Sequence, residues 1–217
     1  MRAGDLADEW LQALSGPAPA GADAPGWREL GGVATAHATL HPRSRLFEFH
    51  EEGTLVQVVA AWELDVCSVA TDCASCGDDP EECGVRTWLL TDLVAWQPSE
   101  PRRLYRRLGT APLLGMRGLG AALIAGVPLR LFQTVEDLAA HGGDLGAGRI
   151  VDTGAHDVHA FAPAAVVLDL KTAAPLLRDL SVIVADDLDH AEAIQKALRA
   201  TLPRLPELRV PAQRVAA

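Results

Sequence analysis

Four cysteines fall within seventeen positions of this 217-residue chain: Cys67, Cys73, Cys76 and Cys83, in a C-x5-C-x2-C-x6-C spacing. They are the only cysteines in the sequence. Clustered thiols in a reducing compartment point to metal or redox chemistry rather than structural disulfides. Cys73 and Cys76 form a CxxC, a spacing that lets two thiolates chelate one ion. Four thiolates at about 2.3 Å from a tetrahedral ion make a closed structural zinc site. The intervening stretches SVATD, AS and GDDPEE have little apolar content to hold a loop together, so a bound ion would supply the missing organisation. A structural zinc ion is therefore the expected cofactor. Asp78, Asp79, Glu81 and Glu82 work against it, because neighbouring carboxylates disfavour thiolates in the metal-free chain.

The first two spacings resemble those of adrenodoxin-type iron–sulfur ferredoxins, which use C-x5-C-x2-C. In that family the fourth ligand stands far further on, whereas Cys83 follows Cys76 after six residues. The CxxC-then-C end is similar to WhiB-type iron–sulfur regulators, without their glycine–tryptophan turn. Either resemblance implies an iron–sulfur cluster as the alternative cofactor on the same cysteines. Thiols without metal are the plain alternative.

Arg102, Arg103, Arg106 and Arg107 are the second group with chemistry to offer. Ser99 as N-cap and Pro101 in the first turn predict a helix. On it the 102/106 and 103/107 pairs stack into a compact guanidinium patch, with Leu104 and Leu108 opposite. Arginine forks match phosphate and carboxylate geometry, so the patch suits a nucleic-acid backbone, a nucleotide or an acidic protein surface. The plain alternative is pairing with the chain's own carboxylates.

His156 and His159, in GAHDVHAF with Asp152 and Asp157 nearby, carry the equipment of metal-assisted hydrolysis or general base chemistry, with no third ligand identifiable by spacing. His37 and His41, in ATAHATLHP, share a face whether that stretch is helix or strand. Gly115, Gly118 and Gly120, in LLGMRGLG, fit neither the Walker nor the Rossmann spacing and predict close helix packing instead. No serine sits in G-x-S-x-G, so a serine hydrolase has no support. Asp186, Asp187 and Asp189 read as a helix-capping run. Glu63 and Asp65 read as the solvated face of a strand, with a role as catalytic acids the sharper alternative.

The elements that must position these groups follow from composition and periodicity. Apolar residues make up 49% of the chain and charged ones 22%, which excludes a mostly disordered protein. A domain of this size buries roughly 70% of its unfolded surface, so its core does not depend on metal or disulfide staples. Nineteen basic against 29 acidic residues give a net charge of −10, which argues against binding polyanions over the whole surface. Lysine occurs only at 171 and 196, and the preference for arginine reads as the base composition of a GC-rich bacterial genome. The start of the chain lacks the apolar run of a signal peptide, and the apolar stretch between Arg117 and Arg130 is too short for a membrane span and broken by Gly118, Gly120, Gly126 and Pro128. A soluble cytoplasmic protein with no membrane contact is expected.

The expected fold class is α+β: an antiparallel sheet with a long hairpin carrying the four-cysteine loop, flanked by helices. A helix over 1–15, with Leu6, Trp10 and Leu14 on one stripe, precedes a Gly/Ala/Pro linker at 16–26 and reads as separable from the body. A single domain spans 27–205 with the cysteine loop inserted at 67–83, and 206–217 is a tail that frays after Pro203. Alternation at 47–50 and 56–66 and β-favouring residues at 85–96 predict strands. Helices are expected over 113–125, over 135–141 and from 188 to 202, with short strands at 127–133, near Ile150, near Val166 and at 181–185. The function this suggests is a non-enzymatic, metal-stabilised binding or assembly subunit that contacts a protein or nucleic-acid partner through the arginines. The alternatives are a metal-dependent hydrolase using His156 and His159, and an iron–sulfur redox protein.

Overall fold

The computed structural model describes residues 3–16, 33–65, 87–143 and 162–211. These residues form an α+β fold, and among them are two five-stranded sheets where one sheet was expected. The first sheet is antiparallel and is built from β1 (Val33–Leu40), β2 (Phe47–Phe49), β3 (Thr54–Asp65), β4 (Thr87–Trp96) and β5 (Tyr105–Arg106), in the order β2-β1-β3-β4-β5. It curls until its two edges meet: Leu46 bridges to Arg106, and the Arg106 N–H donates to the Arg45 carbonyl at 2.7 Å. Curling removes the exposed edges that an open sheet would present.

Period-two alternation sorts its side chains. Ala34, Ala38, Phe47, Val56, Val58, Ala60, Trp62, Leu93, Ala95 and Tyr105 come from all five strands and fill the inside of the curl. Helix α1 (Ala3–Leu14) covers that interior with Leu6, Trp10 and Ala13, all buried. The helix expected at the N-terminus is present, but it is docked on the body as part of a core. The opposite face of β3 was expected to be solvated. Instead Val59, Ala61, Val94 and Trp96 are buried there against the second sheet. Of the residues read as polar on β3, Gln57 is buried and Glu63 is exposed.

The second sheet is an addition to the expected architecture. It contains β6 (Leu113–Leu114), β7 (Leu129–Phe132), β8 (Ala164–Val167), β9 (Val182–Ala185) and β10 (Glu207–Arg209), in the order β10-β9-β7-β8-β6. All its pairings are parallel except that of β6 with β8. The connecting helices are α2 (Met116–Ala125), α3 (Val135–Ala140), α4 (Leu170–Leu177) and α5 (Leu188–Arg199). Leu129, Leu131, Ile183 and Ala185 face α2, α4 and α5, while Phe132 and Val166 face α3 and the first sheet. The strands are only two to four residues long, and the central ones, β7 and β8, are buried on both sides. Buried strands of that kind read as plain apolar runs and give no alternation. The expected fraying after Pro203 is corrected by β10, whose backbone pairs with β9 beginning at Glu207 N–H to Ser181 O, 2.9 Å. Among the described residues no helix is long and apolar enough to cross a membrane.

The glycines of LLGMRGLG do serve close packing, unequally. A Cβ on Gly118 would run into the Ala164 carbonyl oxygen of β8, and Gly115 has φ +89°. Gly120 has nothing within 4 Å of where its Cβ would stand.

Candidate functional site

Cys67, Cys73, Cys76 and Cys83 lie outside the described residues, as do His156 and His159. What is described is the stem from which the cysteine segment departs. β3 and β4 pair antiparallel from Gln57↔Trp96 to Asp65↔Thr87, with one register shift at Ala61/Trp62. Opposed residues in such a pair stand about 4.5–5.5 Å apart at Cα, so the described strands end side by side at Asp65 and Thr87.

The four arginines do not share a helix. Pro98 and Pro101 break the segment into turns, closed by Glu100 N–H to Gln97 O and Arg103 N–H to Glu100 O. Tyr105 and Arg106 then pair with β4 as β5. Strand alternation puts Leu104 against the second sheet and Tyr105 inside the curl, a division of apolar groups that outweighs helix propensity here. The guanidiniums accordingly point to different partners. Arg107 makes a two-point fork on Glu9 of α1, at 3.0 and 2.9 Å. Arg106 donates to the Gly109 and Ala111 carbonyls, both at 3.2 Å, and faces Asp169 at 3.7 Å. Arg103 pairs with Glu100 at 3.3 Å and lies over the Tyr105 ring. Arg102, the most exposed, is 3.9 Å from Asp187.

Beside this segment lies Asp92, a fully buried residue that sequence reading does not single out. Its Oδ1 accepts from the Leu93 and Leu108 N–H groups at 2.9 and 2.8 Å, and its Oδ2 from those of Thr110 and Ala111 at 2.8 and 3.2 Å. One carboxylate thus fixes the loop joining the two sheets. An isolated aspartate in the middle of an apolar strand is the signal that marks it.

A second polar cluster missed by sequence reading occupies the carboxyl ends of β7 and β9. These adjacent strands send their connections in opposite directions, through α3 to β8 and through α5 to β10. Open α/β sheets characteristically bind ligands at such a divergence. Gln133 N–H donates to Asp186 Oδ2 at 2.8 Å and Gln133 Nε2 to Asp187 Oδ2 at 2.9 Å. Asp187 caps α5 through the His190 N–H at 2.8 Å, and Thr134 caps α3 through the Asp137 N–H. The capping reading of Asp187 is thereby met, while Asp186 spans to β7 instead.

Burial raises the Asp186 carboxyl above its usual range, against the hydrogen bond from Gln133. It lowers the His190 imidazole, against the charges of Asp186 and Asp187. His190 Nδ1 faces the Asp186 N–H at 3.4 Å, which suits a neutral ring accepting there. Nearby, Trp96 Nε1 donates to Glu136, whose carboxyl is raised chiefly by burial. Gln133, Asp186, Asp187 and His190 engage one another and latch β7 to β9, whereas Glu136 Oε2 is buried without a hydrogen-bond partner among the described residues.

His37 lies on β1, with Nδ1 3.0 Å from the Gly53 carbonyl, and His41 falls in the turn beyond that strand; both are exposed. Among the described residues no group of three or more His, Cys, Asp or Glu is placed to hold a metal ion. Comparison with family models, curated proteins and solved structures gives no match.

Proposed function

We propose that this chain is a non-enzymatic binding or assembly subunit whose working part is a metal-closed loop held by Cys67, Cys73, Cys76 and Cys83. The register of β3 and β4 carries the reading. Their last described pair, Asp65↔Thr87, leaves 21 residues, 66–86, between the two strands, and these contain every cysteine of the chain. Connections beyond about 12–15 residues are uncommon in compact domains and are either functional segments or linkers. Cys67 follows the last pair by two residues and Cys83 precedes it by four, so a tetrahedral ion bound by both would close the segment at its neck. The anionic-partner contact first assigned to four arginines narrows to Arg102 and Arg103, because Arg106 and Arg107 are committed to internal carboxylates.

Cobalt substitution tests the ligand set. A four-thiolate site gives cobalt-loaded protein the absorption of tetrahedral thiolate coordination, and Ser at any one of the four positions should weaken and shift it. An unchanged spectrum in all four Cys→Ser variants would place the ion elsewhere. A brown chromophore in the protein as purified would favour the iron–sulfur alternative.

A further inference from the structure

From the way α1 is held, we infer that the interior of the curled sheet accepts α1 either from its own chain or from a second copy, giving a dimer by helix exchange. The contacts that seat α1 on this sheet are compact and few in kind. Leu6, Trp10 and Ala13 enter the interior, and Glu9 forks onto Arg107. Each would be reproduced unchanged if α1 came from another copy, which is what makes exchange of an element an inexpensive route to a dimer.

The connection allows it. Gly16 lies against the Thr35 carbonyl, two residues into β1, so the chain ends to be joined nearly touch. Sixteen residues, 17–32, join them. A span of that length reaches about 50 Å when extended, far more than the intramolecular path needs and enough to reach a neighbouring molecule. In addition, Leu11 and Leu14 stay 55% and 39% exposed on α1 when it is seated, so the seated helix keeps apolar surface of its own.

Tethering favours the chain's own helix, with an effective concentration on the order of 1 mM, so the unmodified protein exchanges only near that concentration. The Glu9–Arg107 fork offers a way to reverse the preference. In Glu9→Arg an arginine faces Arg107, and in Arg107→Glu a glutamate faces Glu9, so each variant alone repels its own helix. Exchange between the two variants sets the introduced arginine against the introduced glutamate in one half and restores the native Glu9–Arg107 fork in the other. A charge-assisted fork changes an equilibrium by about tenfold or more, so two of them should bring dimerisation into the range of about 10 μM.

The full-length variants are mixed in equal amounts at about 100 μM and measured by light scattering and thermal melting. The expected result is a dimer with one copy of each variant and a melting temperature restored towards that of the unmodified chain. The double variant Glu9→Arg/Arg107→Glu should remain a monomer, its fork restored within one chain. A mixture that stays as two monomers with two separate melting transitions overturns the inference. Should either single variant fail to fold, unmodified chains carrying two different mass labels are incubated at about 1 mM. Mixed dimers in native mass spectrometry then support exchange, and monomers alone refute it.

Discussion

Asp92 shows how one side chain can fix a segment that propensity leaves undecided. Its two oxygens take four backbone N–H groups, from Leu93, Leu108, Thr110 and Ala111. Asp92→Ala strands all four and should cost at least about 3 kcal/mol, while Asp92→Asn keeps one acceptor oxygen and should cost about half as much. Urea denaturation measures both, and equal losses would mean the carboxylate matters only by its volume. The glycines of α2 make a paired test of the same kind. Gly118→Ala drives a Cβ into the Ala164 carbonyl and should destabilise by about 1–3 kcal/mol, whereas Gly120→Ala meets open space and should stabilise by about 0.5–1 kcal/mol. The sequence spacing of these glycines announces close packing but not which of them packs, because that depends on where β8 lies. Asp92, likewise, is legible only as an oddity in an apolar strand. Its partners in the joining loop sit sixteen to nineteen residues away, on a path that no local pattern dictates.

Among the elements, those with strong local periodicity are readable. β3 and β4 declare themselves by β-favouring residues, and α5 by its stripe of Ile194 and Leu198 behind an aspartate cap. β7, β8 and β9 are anticipated as short strands, but runs of two to four residues do not show that they pair into a parallel sheet, and α4 is hidden by Pro175 within it. The arginine segment misleads because capping signals compete there with pairing to β4, and tertiary pairing prevails. Its outcome is measurable. Arg106→Gln and Arg107→Gln remove largely buried guanidiniums from Asp169 and Glu9 and should each cost about 1–3 kcal/mol, while Arg102→Gln and Arg103→Gln should stay within about 0.5 kcal/mol. Equal effects at all four positions would contradict this division. The β7–β9 latch predicts a pH response. A histidine held below its unfolded value of about 6.5 contributes stability that is present above that pH and is lost as pH falls towards its folded-state value. Asp186 and Glu136 act oppositely: with raised folded-state values, they add stability as they protonate on acidification. His190→Asn, which keeps an acceptor for the Asp186 N–H, should therefore flatten the loss of stability that sets in below about pH 6.5. An unchanged profile would contradict this, because it would mean that folding does not shift the titration of the ring.

At the scale of the whole molecule, three apolar layers hold the body together: α1 in the curled sheet, the seam between the two sheets, and the helices on the outer face of the second. A chain of this length can bury such a core without a metal staple. On the proposed reading the body is a scaffold for the cysteine segment, which departs from the end of its longest strand pair. Removing the ion should leave the melting of the core nearly unchanged while exposing 66–86 to protease, a separation of effects that a core-stabilising metal would not give. The most direct test is the metal content of the full-length protein as purified, measured together with its free thiols and visible spectrum. A four-thiolate zinc site predicts about one zinc per chain, thiols that react freely only after chelation, and no visible colour, as expected of a d¹⁰ ion. Metal-free protein with four freely titrating thiols, and a 66–86 segment indifferent to chelator, would contradict it.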